Sequence, residues 1–135
     1  MNVILDTDHC VEILRGRLNI DDYVKPTDLL FVTAITVGEL IYGAWKSDKP
    51  EKNRKAIVQM LTIVTVLSFD ENAGHRFGRI KDKLRRRGLP IAEPDVQIAS
   101  IALHHSLPLA THNYRHFSRI DGLDLVDWLA PDDSS

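Results

Sequence analysis

The chain has 135 residues and is 44% hydrophobic, which suits one domain with a single sizeable core. No apolar run approaches the roughly 18 residues of a membrane span, and no basic segment opens a signal peptide. The lone Cys10 excludes an internal disulfide and argues against a thiolate zinc site, so a cytoplasmic protein is expected. A formal net charge of -2 argues neither for nor against nucleic acid.

Val3, Ile4 and Leu5 are apolar and bounded by polar residues, which predicts a short buried strand with Asp6 directly after it. Asp8 stands where an N-cap would, before a helix carrying Val11, Ile13 and Leu14 that Gly16 ends. Residues 19–25 read as a short helical patch closed by Pro26, and residues 29–34 as the second strand. Thr36 then caps a helix through Glu39, Leu40, Tyr42, Gly43 and Ala44. Pro50 suits the first turn of the next helix, over 51–61, with Ile57, Met60 and Leu61 on one side. Residues 62–67 are rich in β-branched side chains and read as the third strand.

Asp70 caps a long helix that ends at Gly88, with Phe77, Ile80 and Leu84 at the spacing of one apolar stripe. Between 76 and 87 it carries Arg76, Arg79, Lys81, Lys83, Arg85, Arg86 and Arg87 against Asp82 alone, so the rest of the chain is acidic. Such a run is either a solvated helix face or a surface that tracks phosphates. A loop with two prolines covers 89–94, and a helix covers 95–105. Residues 107–111 read as a fourth strand, 112–118 as a turn or short helix, and 123–126 as the last strand. Residues 131–135 read as a flexible tail, leaving 1–130 as a single domain.

Strands alternating with helices imply an α/β fold, a parallel sheet covered on both faces. Right-handed crossovers bring the carboxyl ends of its strands to one edge, where such folds bind ligands. Asp6, Glu39 and Asp95 all fall at that edge, so acids far apart in sequence can share a pocket. Carboxylates with water are the ligands Mg²⁺ and Mn²⁺ prefer, and such a site hydrolyses phosphodiesters without a nucleophilic side chain. Each acid also has a plainer reading. Asp6 could receive backbone N–H groups at a strand end, Asp95 could answer a helix dipole, and Thr36 to Glu39 matches a capping box. Asp8 is assigned to capping, not ligation. His112 and His116 have a zinc-compatible spacing, but no glutamate completes an H-E-x-x-H pattern. His104 and His105 end a helix, and His9 and Cys10 read as early-helix residues rather than ligands.

Four segments, VILDTD, TAITVGELIYGA, GLPIAEPDVQIASIAL and LATHNYRHF, resemble the PIN-domain toxins of bacterial VapBC toxin–antitoxin systems, over residues 3–128. The resemblance implies a Rossmann-like PIN fold with a mainly parallel sheet of four to five strands. It also implies a Mg²⁺- or Mn²⁺-dependent endoribonuclease. The family's metal ligands fall on Asp6, Glu39 and Asp95, with Thr7, Thr111 and Asn113 beside the site. His116 stands where many PIN domains have a fourth acid, and Glu93 and Asp121 are candidate substitutes with no spacing argument behind them. On this reading Asp6 and Asp95 hold the principal metal, Glu39 completes the pocket or orients water, and Arg85 and Arg86 carry RNA backbone. A VapB-type antitoxin and a homodimer are the implied partners. Two rivals remain: a degenerate PIN-like module that only binds RNA or protein, and a haloacid-dehalogenase-type phosphatase with Asp6 as nucleophile of a D-x-D pattern.

Overall fold

The computed structural model describes residues 1–129; the expected tail at 131–135 lies outside the described residues. Five strands, β1 (Val3–Leu5), β2 (Leu30–Thr33), β3 (Thr65–Leu67), β4 (Leu109–Ala110) and β5 (Leu125–Val126), form one parallel sheet in the order β3-β2-β1-β4-β5. β1 is central, its Ile4 opposite Phe31 on one side and Leu109 on the other. The three residues of β1 are wholly buried because both faces of the sheet are covered.

The pleat sends alternate side chains of β1 into two cores. Val3 and Leu5 pack with Cys10, Leu40, Ala44, Ile57 and Met60, which come from α1 (Thr7–Leu14), α2 (Ala34–Trp45) and α3 (Pro50–Met60). Ile4 packs with Leu84, Val96, Ile98, Ala99 and Phe117, from α4 (Glu71–Arg86), α5 (Glu93–His105) and α6 (Tyr114–Phe117). The expected stripe of Phe77, Ile80 and Leu84 joins this second core. The chain moves from β1 outward to β2 and β3, then crosses back to β4 on the other side of β1. The strand order therefore reverses between β1 and β4, where loops diverge and leave a crevice at the carboxyl edge.

Asp70 caps α4 through its bond from the Ala73 N–H (3.0 Å), and Gly88, at φ 66°, follows its end. Pro50 occupies the first turn of α3. Several boundaries differ from expectation; β4 and β5 are each two residues long, against the expected 107–111 and 123–126. Residues 61–63 form a 3₁₀ turn, not strand, because the chain is still unwinding from α3 and the Thr62 hydroxyl bonds back to the Gln59 carbonyl at 2.6 Å. α5 starts at Glu93, so the second proline of the expected loop is inside its first turn. The patch over 19–25 is a 3₁₀ turn, Ile20–Asp22, capped by Asn19. Among the described residues no helix is long and apolar enough to cross a membrane.

Candidate active site

Asp6 leaves β1 and is itself the N-cap of α1. This corrects the assignment of capping to Asp8. The buried end of β1 fixes where the helix can begin, and the first side chain past it reaches the free N–H groups. Asp6 Oδ1 accepts the His9 backbone N–H at 2.8 Å and faces the His9 ring Nδ1 at 2.9 Å. Asp6 is only 6% exposed, yet its ionised form has two donors and a helix N-terminus to hold it. Asp8 is released into the first turn of α1, where burial and then the charge of Asp6 raise its pKa. Further along α1, burial and Asp6 push the Cys10 thiol up to about 12.

Glu39 comes to the same place from α2. That helix is capped by Thr33, whose Oγ1 accepts the Thr36 N–H at 3.2 Å. Thr36 is therefore not the cap, and the capping-box reading of Glu39 falls. Glu39 sits in the second turn, not the first, and its carboxylate accepts the Thr7 hydroxyl at 2.7 Å. The Thr7 oxygen also lies 3.1 Å from the Thr36 hydroxyl, so α1 and α2 are joined by a short polar chain that steadies an exposed glutamate. Asp95, in the first turn of α5, is half-buried. Burial raises its pKa most, followed by the charges of Glu39 and Asp6, with a smaller contribution from Asp8, while His116 opposes the rise.

Asp6, Asp8, Glu39 and Asp95 line one pocket of about 150 Å³, together with Thr7 and Asn113, over an apolar floor of Ile98 and Phe117. Among the described residues, no three acidic, His or Cys side chains already stand close enough to ligate one ion. Like charges in a half-dry pocket spread apart until a cation compensates them. Mg²⁺ also commonly takes only one or two carboxylates and fills its remaining positions with water.

The other expected site residues fall into three groups. Thr7 and Asn113 reach the pocket. Thr111 is wholly buried, and its hydroxyl accepts the Asn113 N–H at 3.0 Å, so it shapes the turn that presents Asn113. His116 is half-buried, its Nδ1 accepting from Asn113 Nδ2 at 3.0 Å. His112 instead pairs with Asp127 at 2.8 Å, so the two histidines do not form a zinc site. Arg85 and Arg86 lie outside the pocket lining at the end of α4, both paired with Asp82 at 2.8 Å. α4 runs antiparallel to α5, as the Lys81–Glu93 pair and the influence of His104 on Asp70 require, so these arginines stand near the end of α5 that carries Asp95. Glu93 and Asp121 are turned away, onto Lys81 and Lys83. Sequence reasoning missed Asp8 and His9. Asp8 was legible once Asp6 is taken as the cap, since the first turn then carries a second acid beside it. His9 left no signal in the spacing.

A parallel α/β sheet with an acidic pocket at its switch point fits a PIN domain, and the PIN-domain family model matches residues 3–123. The chain is 34% identical over 135 residues to the tRNA(fMet)-specific endonuclease VapC of Salmonella typhimurium, covering 95% of this chain and 98% of that protein. It is 34% identical over 131 residues to ribonuclease VapC2 of Haemophilus influenzae, covering 96% and 99%. Among solved structures, VapBC2 from Rickettsia felis, bound to a DNA fragment from its promoter, superposes with a TM-score of 0.88 at 27% identity, covering 95% and 99%. VapBC-1 from nontypeable Haemophilus influenzae gives 0.86 at 33%, covering 96% and 100%. The chain belongs to the VapC family of PIN-domain ribonucleases. The phosphatase alternative falls with that membership.

Proposed function

We propose that this chain is a Mg²⁺- or Mn²⁺-dependent endoribonuclease and the toxin of a cytoplasmic toxin–antitoxin pair, with residues 1–130 working as one domain. The observation that carries the reading is the convergence of Asp6, Asp8, Glu39 and Asp95 on one small pocket at the carboxyl edge of the sheet. The donor set is all oxygen, as hard divalent cations prefer. The volume suits one ion with a few waters, each water taking about 30 Å³. Burial first, and then the neighbouring carboxylates, raise the pKa values of Asp95 and Asp8, and a bound cation would offset both effects.

Asp6 and Asp95 would hold the principal cation, which would ease ionisation of a water and offset charge on the leaving oxygen. Glu39, steadied by Thr7, orients the attacking water and takes its proton. The P–O bond to the leaving oxygen breaks as the new one forms, and a proton returns to that oxygen. Asp8 supplies the charge that His116 does not. Asn113 and His116, linked to each other, face the phosphate, and Thr111 sets their turn. Arg85 and Arg86 carry the RNA backbone leading to the site. Relatives named for tRNA(fMet) make tRNA the first substrate to test. A VapB-type antitoxin and a second copy of the chain are the proposed partners. Exposed Tyr42, Trp45 and Ile63 supply apolar surface of the kind a partner covers.

The test is brief expression in cells, with and without Asp6→Ala, followed by mapping of new 5′ ends across all RNAs. New ends confined to the wild type, with purified protein cleaving RNA only when Mg²⁺ or Mn²⁺ is added, are expected. A specific observation favours the degenerate-module reading: His116 stands at the fourth-acid position and, among the described residues, no three ligands are preassembled. RNA binding that survives chelation, with no cleavage under any divalent cation, would establish that reading instead.

A further inference from the structure

His9 is wholly buried and belongs to none of the roles assigned above. Resting on the proposed metal-dependent hydrolysis, we propose that His9 is a positioning residue: it locks the Asp6 carboxylate so that one oxygen, Oδ2, is offered to the cation.

The hydrogen bonds decide the tautomer. The Trp128 backbone N–H can only donate, and it points at His9 Nε2 at 3.1 Å. Nε2 is therefore the acceptor, and the ring proton sits on Nδ1. Nδ1–H in turn donates to Asp6 Oδ1 at 2.9 Å, beside the His9 backbone N–H at 2.8 Å. Two donors from one residue occupy the same oxygen and fix the carboxylate's rotation. Among the described residues no buried side-chain nitrogen or oxygen lacks a partner. Asp6 Oδ2 has none there, so it is the oxygen that solvent reaches.

The ring cannot turn away. Its edge meets the Trp128 indole at a centroid distance of 5.9 Å and 65°, and that indole stacks on Tyr23 at 5.3 Å and 18°. A segment 119 residues distant in sequence thus sets the angle of the first acid of the pocket. Groups that orient a ligand carboxylate are worth about 10- to 100-fold in metal affinity.

Two variants separate this role from simple packing. The amide of His9→Asn reaches the place of Nδ1 and can still donate to Asp6, but not reach Trp128. The amide of His9→Gln reaches the place of Nε2 and can accept from Trp128, but not serve Asp6. Mn²⁺ affinity is read from the free-ion electron paramagnetic resonance signal, beside the melting temperature of the metal-free chain and kcat and KM on RNA. His9→Gln should bind Mn²⁺ about 10- to 100-fold more weakly, with lower kcat at saturating metal and little change in KM. His9→Asn should keep Mn²⁺ affinity within about threefold while melting lower, since the Trp128 N–H loses its acceptor. The inference is overturned if His9→Gln binds Mn²⁺ like wild type, or if His9→Asn loses as much affinity as His9→Gln. A wild-type chain that binds no Mn²⁺ would refute the metal reading itself, a different result from either.

Discussion

Replacing Asp95 by Asn should raise the stability of the metal-free chain while removing its response to metal. Burial and the charges of Glu39 and Asp6 raise the Asp95 pKa, so the folded state holds that proton more tightly than the unfolded chain does. The stability this proton contributes is complete below the ordinary carboxylate range and is lost as pH rises through the raised pKa. Above that raised pKa the ionised Asp95 is therefore a burden on the metal-free fold, and the neutral amide of Asp95→Asn relieves it. The gap should close as pH falls through that window. Metal reverses the order. At 100 times Kd a cation stabilises wild type by about 2.7 kcal/mol. For a chain of 135 residues, at roughly 4 °C per kcal/mol, that is about 11 °C in Tm. If Asp95→Asn weakens the site about a hundredfold, the same concentration contributes only about 0.4 kcal/mol, or under 2 °C. Thermal melts by circular dichroism, with and without Mn²⁺ at two pH values, read all of this. A metal-induced shift equal to that of wild type, or a metal-free variant less stable than wild type at neutral pH, would refute the reasoning.

Asp8→Asn should weaken Mn²⁺ binding less than Asp6→Asn does, because Asp8 adds charge at the rim while Asp6 presents an oriented oxygen; calorimetric titration showing equal losses would contradict that ranking. Thr7→Val keeps the shape of the side chain but frees Glu39 from its 2.7 Å bond. Cleavage should drop about tenfold and Tm by several degrees, since the buried Thr36 hydroxyl also loses its partner; full activity would show that the tether is idle. Thr33→Ala removes the cap of α2 and should cost about 1 kcal/mol, read as a Tm lower by roughly 4 °C. Neutralising Arg85 and Arg86 together should flatten the salt dependence of single-stranded RNA binding by a log–log slope of about 1.4. An unchanged slope would mean that both guanidiniums are spent on Asp82.

Much of the architecture was legible from local pattern. The apolar run of β1, the Asp70 cap, the glycine after α4 and the stripe of Phe77, Ile80 and Leu84 each follow from short-range chemistry, and the structure has them all. Asp6, Glu39 and Asp95 could be brought together because strand–helix alternation fixes which edge the strand ends reach. The helix starts beside them were not readable. Asp6 and Asp8, or Thr33 and Thr36, are equally good caps by residue type, and the choice is made by where the buried strand stops. That choice then changed the meaning of Glu39 and Asp8. His9 was further out of reach, since its role depends on a backbone amide near the other end of the described chain.

The single thiol lies one position beyond His9, wholly buried and with its ionisation suppressed. Alkylating reagents attack the thiolate, so Cys10 should stay silent until α1 lifts from the sheet. Its labelling rate is thus an internal clock for local opening at the very helix that Asp6 initiates. Divalent cation added in solution should slow that clock in proportion to how firmly it pins the helix start. The occupancy of the acidic pocket could then be followed without RNA, antitoxin or catalysis.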